Sequence, residues 1–207
     1  MKKRVLITPM DWGLGHASRC VKIIRKLNEY GYEVIIACDN KPLHFLKKEF
    51  PNHDFVRLKA LPILYNKYIG ASFAIFLQLY KLVYNYLYER YITEKIINQF
   101  KIDAIITDNR FGVRSKKIPS IFVTHQVEIR SKYLMSFINY VNTKLINMFN
   151  ECWIVDDKKN RLSGLLSNSS KLYIKTQYLS NLSRFRCFKT VTKKQLLVLV
   201  SGPEPQR

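Results

Sequence analysis

A short apolar strand that breaks into a glycine turn and then opens a helix constrains the fold of this chain more than any other feature. It covers residues 5–19, and its turn reads Gly13-Leu-Gly-His16. A strand that feeds a helix leaves unpaired N–H groups at the helix start, and glycines let another molecule approach that backbone closely. The feature predicts an α/β domain that binds a nucleotide or a sugar at this turn.

Apolar runs and helical patterns alternate along the chain, which is typical of a doubly wound parallel sheet. Further strands are predicted over residues 33–38, 54–58, 102–107, 120–124 and 152–155. Apolar residues at helical spacing predict a first helix that ends at Gly31, and residues 133–150 predict a later one. We therefore expect a Rossmann-like α/β domain over residues 1–190.

The last residues have the sequence pattern expected at the start of an α/β domain. Residues 195–200 are a strongly apolar strand, and residues 201–207 form a turn with prolines placed to start a helix. We expect residues 191–207 to be a linker and the first strand of a second, truncated α/β domain.

The excess of basic residues indicates which classes of partner the chain could bind. The 207 residues carry 35 Lys and Arg against 15 Asp and Glu, a formal charge of +20. This excess favours a phosphorylated ligand, an anionic membrane face or nucleic acid. Ten of the basic residues and no acidic one lie between Lys158 and Lys194, which a solvated basic surface explains equally well. Because no nucleic-acid-binding signature is present, we expect no nucleic-acid partner.

Residues 69–91 are the one candidate for membrane contact, since they are dense in Phe, Ile, Leu and Tyr. Polar residues three or four apart interrupt them and argue against a spanning helix: Gln78, Lys81, Asn85 and Glu89. The apolar face of this helix is either covered by the sheet or docked on lipid, and burial is the favoured interpretation.

Cysteine use and the N-terminus indicate a cytoplasmic protein. Cys20, Cys38, Cys152 and Cys187 form no Cys-x-x-Cys pair, so buried reduced thiols are expected. The N-terminal apolar run, residues 5–10, is too short for an export signal. An association with the inner face of the membrane stays open.

Several segments spread over nearly the whole chain carry a family resemblance. They are residues 11–19 (Asp-Trp-Gly-Leu-Gly-His-Ala-Ser-Arg), 107–112, 115–119, 124–126, 182–185 and 201–207. Together they resemble the two-domain GT-B glycosyltransferases. The likeness is strongest to bacterial ones related to the enzyme that adds N-acetylglucosamine to the undecaprenyl-linked peptidoglycan precursor. The resemblance implies an acceptor-binding N-terminal half, with the donor nucleotide-sugar held mainly by a C-terminal half that begins near Leu196.

Glycosyl transfer requires a base for the acceptor hydroxyl and positive or N–H groups for the departing diphosphate. His16 on the glycine turn is the candidate base, since an imidazole ordinarily titrates near pH 6.5. Asp108, at the end of a different predicted strand, would hold that imidazole in the required tautomer. In the alternative interpretation, His16 caps its helix or bonds to the backbone.

Other positions are predicted to bind the two substrates. Candidates for acceptor binding are Gly13, Gly15, Asn109, Arg110, His125 and Gln126, although Asn109 and Arg110 could equally form a surface cap and salt bridge. His125 lies in a stretch similar to the His-Glu-Gln-Asn stretch of the peptidoglycan enzyme, but the Glu and Asn are absent. Candidates for donor binding are Ser201, Gly202 and Glu204.

The resemblance implies a metal-independent, inverting transfer from a nucleotide-sugar, expected to be UDP-linked, to a glycan or lipid-linked acceptor. No cofactor is expected beyond the donor. The chain by itself is expected to be inactive, with a missing donor domain or partner chain.

Two other functions remain open. A non-catalytic subunit of a split glycosyltransferase would recruit the acceptor or the membrane. An NAD(P)-binding oxidoreductase would use the same glycine turn with Asp39 after the second strand, but Ser18 occupies the place of its third glycine.

Overall fold

The computed structural model describes residues 2–59, 79–129, 135–158, 163–180 and 182–184. The predicted linker and second-domain strand, Cys187 and residues 69–78 lie outside these ranges. The elements are β1 (Arg4–Pro9), α1 (Leu14–Glu29), β2 (Glu33–Cys38), α2 (Asn40–Glu49), β3 (Asp54–Arg57), α3 (Leu79–Phe100), β4 (Ala104–Asp108), β5 (Ser120–Thr124), α4 (Met135–Ile146), β6 (Glu151–Val155) and β7 (Lys175–Leu179).

The strands form a parallel sheet in the order β3-β2-β1-β4-β5-β6-β7, which confirms the predicted doubly wound α/β fold. The strand order reverses direction between β1 and β4. Pro9 at the end of β1 pairs with Asp108 at the end of β4. In open parallel sheets, ligands bind in the crevice outside the carboxyl ends of the strands at such a reversal.

Burial on both faces explains why the central strands are continuously apolar. Side chains alternate along each strand, so Ile7 and Ile106 pack under α1, whereas Leu6 and Ile105 pack under α3. A third cluster, around Phe122, joins β5 and β6 to the end of α4. Apolar packing on both faces of the sheet therefore fixes the positions of the strand ends.

Two elements carried no recognised signal in the sequence. β7 reads Lys-Thr-Gln-Tyr-Leu and lies at one end of the described sheet, where partial exposure permits polar residues. α2 is short, at 10 residues, and buries only Pro42, Leu43 and Leu46. Gly31 follows the end of α1 with a φ of 79°, as its predicted capping role requires.

The expectation that the apolar face of residues 69–91 is buried is wrong for the part that the structure describes. Five large side chains at helical spacing are between 52% and 65% exposed: Tyr80, Val83, Tyr84, Leu87 and Tyr91. We call this set the α3 face. The reason is direction, since the buried residues of α3, such as Glu89, Thr93 and Ile96, lie on the opposite side of the helix. The α3 face therefore points away from the side of the helix that packs on the sheet.

Cys20, Cys38 and Cys152 are free and buried, as predicted. Burial raises the pKa of the Cys38 and Cys152 thiols to about 12, so both are protonated at neutral pH. None of these three thiols is a candidate nucleophile.

Candidate functional site

The glycine turn after β1 lies at the carboxyl edge of the sheet, beside the strand reversal. Gly13 precedes the first residue of α1 with a φ of 147°, a conformation that favours glycine. No side chain caps the helix start, and a Cβ at Gly13 or Gly15 would meet nothing within 4 Å. The predicted acceptor positions Gly13 and Gly15 thus border open space at a helix N-terminus.

His16 and Asp108 are brought together although 92 residues separate them. The Nδ1 atom of His16 lies 2.9 Å from Oδ1 of Asp108, whose side chain is 1% exposed. The strand pleat explains the contact, because Asp108 points to the same side of β4 as Ile106, toward α1. The Asp108 carboxylate therefore contacts His16 from the side of α1 that faces the sheet.

Arg19 completes this cluster, and sequence reasoning did not assign it to the site. Its guanidinium donates to both carboxylate oxygens of Asp108, from Nε at 3.1 Å and from Nη2 at 2.9 Å. The available signal was its spacing, since residues three apart on a helix share one face. Arg19 therefore neutralises a buried carboxylate beside the candidate base.

His125 joins the cluster from the end of β5. Its Nδ1 lies 2.8 Å from Nη1 of Arg19, and its ring centroid lies 6.2 Å from that of His16. Burial lowers the pKa of His125, and the positive charge of Arg19 lowers it further. A neutral His125 that accepts from Arg19 at Nδ1 carries its proton on Nε2, so it can donate one hydrogen bond to a ligand.

Arg110 is placed in the interior, which does not favour its predicted role in acceptor binding. Its side chain is 2% exposed, and Nε donates to Glu89 at 2.9 Å. Its other described contacts are Asp11, the carbonyl oxygen of Pro9 and the carbonyl oxygen of Leu58. The alternative of a salt bridge in a surface loop is also inaccurate, because this ion pair is buried.

Glu89 was counted among the polar residues of a predicted stripe, yet it is only 6% exposed. It accepts from Arg110 and from the backbone N–H of Gly112, at 3.0 Å. Burial raises the pKa of Glu89, and Arg110 opposes the shift. Glu89 therefore fastens the loop that follows β4 onto α3.

Asn109 and Gln126 flank the cluster. Asn109 has a φ of 59°, a left-handed conformation that asparagine tolerates better than most residues, and its N–H donates to the carbonyl of Val123. The N–H of Gln126 donates to the hydroxyl of Thr124. Ser201, Gly202 and Glu204, the predicted donor residues, lie outside the described ranges.

No family model and no curated protein sequence matches this chain. Solved structures do match it. The glycotransferase of kitacinnamycin aligns with 94% of this chain and 55% of its own, at 12% identity and a TM-score of 0.63. Arabidopsis thaliana UGT89C1 complexed with UDP-L-rhamnose aligns over 90% and 54%, at 14% identity and a TM-score of 0.58.

A third match, MurG from Acinetobacter baumannii, aligns over 76% of this chain and 42% of its own at 14% identity. Its TM-score of 0.48 is too low to support an inference. At these identities the likeness establishes the fold.

The chain has the Rossmann-like α/β fold found in GT-B glycosyltransferases. It spans about half the length of the solved structures that it matches.

Proposed function

We propose that this chain is the acceptor-binding part of a glycosyltransferase that uses a nucleotide-sugar, and that His16 is its general base. The observation that carries the proposal is the contact between His16 and the buried Asp108 at the strand reversal. It supports the proposal because, whenever Nδ1 carries the proton, this carboxylate can accept it and Nε2 is then free to take a proton from the acceptor. The fold shared with solved glycosyltransferases supports it independently.

In the proposed reaction, Nε2 of His16 takes the proton of an acceptor hydroxyl while that oxygen attacks the anomeric carbon of the donor. The bond from this carbon to the diphosphate breaks, and the diphosphate leaves with the electron pair. One displacement of this kind inverts the anomeric configuration. Asn109, Gln126 and the Nε2–H of His125 are the polar groups that we propose contact the acceptor.

The open N-terminus of α1 supplies N–H groups that favour anionic oxygens. We propose that this end of the cleft faces the phosphates of a UDP-linked donor and that a second, donor-binding part holds the nucleotide. No metal enters this proposed mechanism.

The test is a transfer assay on the enzyme captured from its source cell through a tag before Met1, so that any donor-binding part is retained. Labelled UDP-sugars are supplied with lipid and glycan extracts of that cell. We expect His16→Ala to reduce turnover by roughly 100-fold or more, the usual contribution of a general base. The matched control is His44→Ala, since His44 is an exposed histidine of α2, and it should leave turnover unchanged.

Unchanged turnover in His16→Ala would remove His16 from the mechanism. The 207-residue chain produced alone should transfer no sugar. Transfer by that chain would contradict the need for a second part, and no transfer by the captured enzyme would favour a non-catalytic subunit.

We further propose that the α3 face docks on an anionic membrane surface. Its five exposed side chains include three tyrosines, which suit the boundary between headgroups and acyl chains. The formal charge of +20 supplies attraction to anionic lipid. No helix among the described residues is long and apolar enough to cross a membrane.

Sedimentation with vesicles that contain phosphatidylserine tests this docking. We expect the wild-type chain to bind and Leu87→Glu to bind much less, because its carboxylate would enter the apolar layer. Tyr173→Glu is the control, since Tyr173 is 92% exposed but lies outside the α3 face. Equal binding by all three proteins would contradict the docking proposal.

A further inference from the structure

Nδ1 of His16 has two neighbours, one of which requires it to be protonated and the other unprotonated. Oδ1 of Asp108 lies 2.9 Å away, and Nη2 of Arg19 lies 2.7 Å away. An ionised carboxylate only accepts hydrogen bonds, and a guanidinium only donates them. Nδ1 can therefore bond to Asp108 only when it carries a proton, and to Arg19 only when it carries none.

The guanidinium of Arg19 is fixed beside Nδ1 of His16 by its other contacts. Nε and Nη2 bind the two oxygens of Asp108, and Nη1 lies 2.8 Å from Nδ1 of His125. A planar guanidinium fixed in this way cannot turn Nη2 from His16 without losing part of its bidentate pair. The shorter of the two contacts to His16 is also the one that Arg19 makes.

Protonation of Nδ1 would place two N–H donors against each other across 2.7 Å. With Nδ1 unprotonated, the same distance is a short hydrogen bond from a cation to a neutral acceptor. In that state Nδ1 and Oδ1 of Asp108 are two acceptors 2.9 Å apart, but Nη2 of Arg19 donates to both, and the carboxylate keeps its two hydrogen bonds from Arg19. The arrangement therefore favours the tautomer of His16 whose proton lies on Nε2.

We propose that Arg19 is a positioning residue that holds His16 in the Nε2–H tautomer in the ligand-free protein. The proton passes to Nδ1, where Asp108 accepts it, only when the guanidinium moves away from His16. The consequence for catalysis rests on the function proposed above, because a base needs Nε2 unprotonated. Arg19 then keeps the base inactive until this part of the site rearranges.

The test reads the tautomer directly, without substrate or turnover. Two-bond 1H–15N spectra of the 207-residue chain, labelled on histidine nitrogens, distinguish a protonated from an unprotonated ring nitrogen. They are recorded at about pH 8, above the ordinary titration range of imidazole. The signals of His16 are assigned by their loss in His16→Gln.

We expect Nδ1 of wild-type His16 to resonate as an unprotonated nitrogen. In Arg19→Gln it should move upfield to the range of a protonated nitrogen, since Asp108 then becomes its main partner. Arg25→Gln is the matched control, because Arg25 lies on the same helix but pairs with Glu49. It should leave both nitrogens of His16 as in the wild type.

A protonated Nδ1 in the wild-type chain would overturn the proposal, and this measurement does not depend on whether Arg19→Gln folds. An unprotonated Nδ1 that stays so in folded Arg19→Gln would also overturn it. The tautomer is independent of sugar transfer, so a failure of the proposed enzymatic function would leave this result unaffected.

Discussion

At the scale of single residues, burial and one cation set the protonation of the cluster. Asp108 is 1% exposed, so its charge requires compensation, and Arg19 supplies it. The same cation lies against Nδ1 of His125 and opposes a second positive charge there. Arg19 therefore compensates the carboxylate and disfavours a charged imidazole at His125.

The lowered pKa of His125 predicts how stability depends on pH. The folded chain binds fewer protons at His125 than the unfolded chain does, so the free energy of unfolding falls as pH drops below about 6.5. His125→Asn should remove this loss, which amounts to about 1.4 kcal/mol for each unit by which the pKa is lowered. Urea unfolding at a series of pH values between about 8 and 5 measures it.

His44→Asn is the control for this experiment, because His44 is exposed and its substitution should leave the pH dependence unchanged. Identical pH dependence in the wild type and in His125→Asn would contradict the expected effect of burial.

At the scale of elements, α3 and the loop after β4 are fitted closely to each other. Glu89 binds Arg110 and the N–H of Gly112, and Nη2 of Arg114 donates to the hydroxyl of Tyr86 at 3.1 Å. Asp108 and Asn109 immediately precede this loop. The helix thereby fixes the chain that carries the carboxylate of the cluster.

Gly112→Ala should destabilise the chain. Its Cβ would lie 2.5 Å from the backbone oxygen of Tyr86 and 2.6 Å from Cβ of Glu89, so α3 would have to shift. We expect a loss of roughly 1–3 kcal/mol, the usual cost of overpacking. Thermal or urea unfolding followed by circular dichroism measures this change.

Gly15→Ala is the matched control, since a Cβ there meets nothing within 4 Å and alanine favours the helix. It should be as stable as the wild type or slightly more stable. A Gly112→Ala variant as stable as the wild type would show that the contact with α3 is looser than the structure has it.

At the scale of the whole molecule, the sheet is the rigid element to which the site is attached. β1 and β4 lie in its interior, each paired with strands on both sides. β3 and β7 lie at the ends of the described sheet. Every component of the cluster lies in an interior strand, in the residue that directly follows one, or in the helix that follows one.

Amide hydrogen exchange should therefore be slowest in β1 and β4 and faster in β3 and β7, because end strands open without disrupting the core. Peptide-level mass spectrometry over times from seconds to days measures this order. Exchange in β7 as slow as in β1 would contradict the expected order.

The sequence alone was sufficient for the fold class and most strands. Six of the strands were predicted from apolar runs, which are visible without any partner, and burial on both faces makes these runs continuous in β1, β2 and β4. β7 was missed because its polar residues match an end strand and resemble a loop. The placement of His16 beside the glycines at the start of the first helix was equally local, although the structure puts His16 inside the first turn of α1.

Contacts across long separations could not be predicted from local pattern. Arg110 was predicted to bind acceptor, and only the fold brings Glu89 and Asp11 around it. The α3 face was expected to be buried, and its exposure follows from which side of the helix packs on the sheet.

By itself, the sequence determined the alternation of elements, the glycine turn and the residue types available at the sheet edge, because each depends on neighbours in the chain. The tertiary structure decided that Arg19, and not Asp108 alone, is the partner of His16. The reason is physical: a buried carboxylate needs a counter-charge, and only packing of α1 against β4 and β5 determines which cation supplies it.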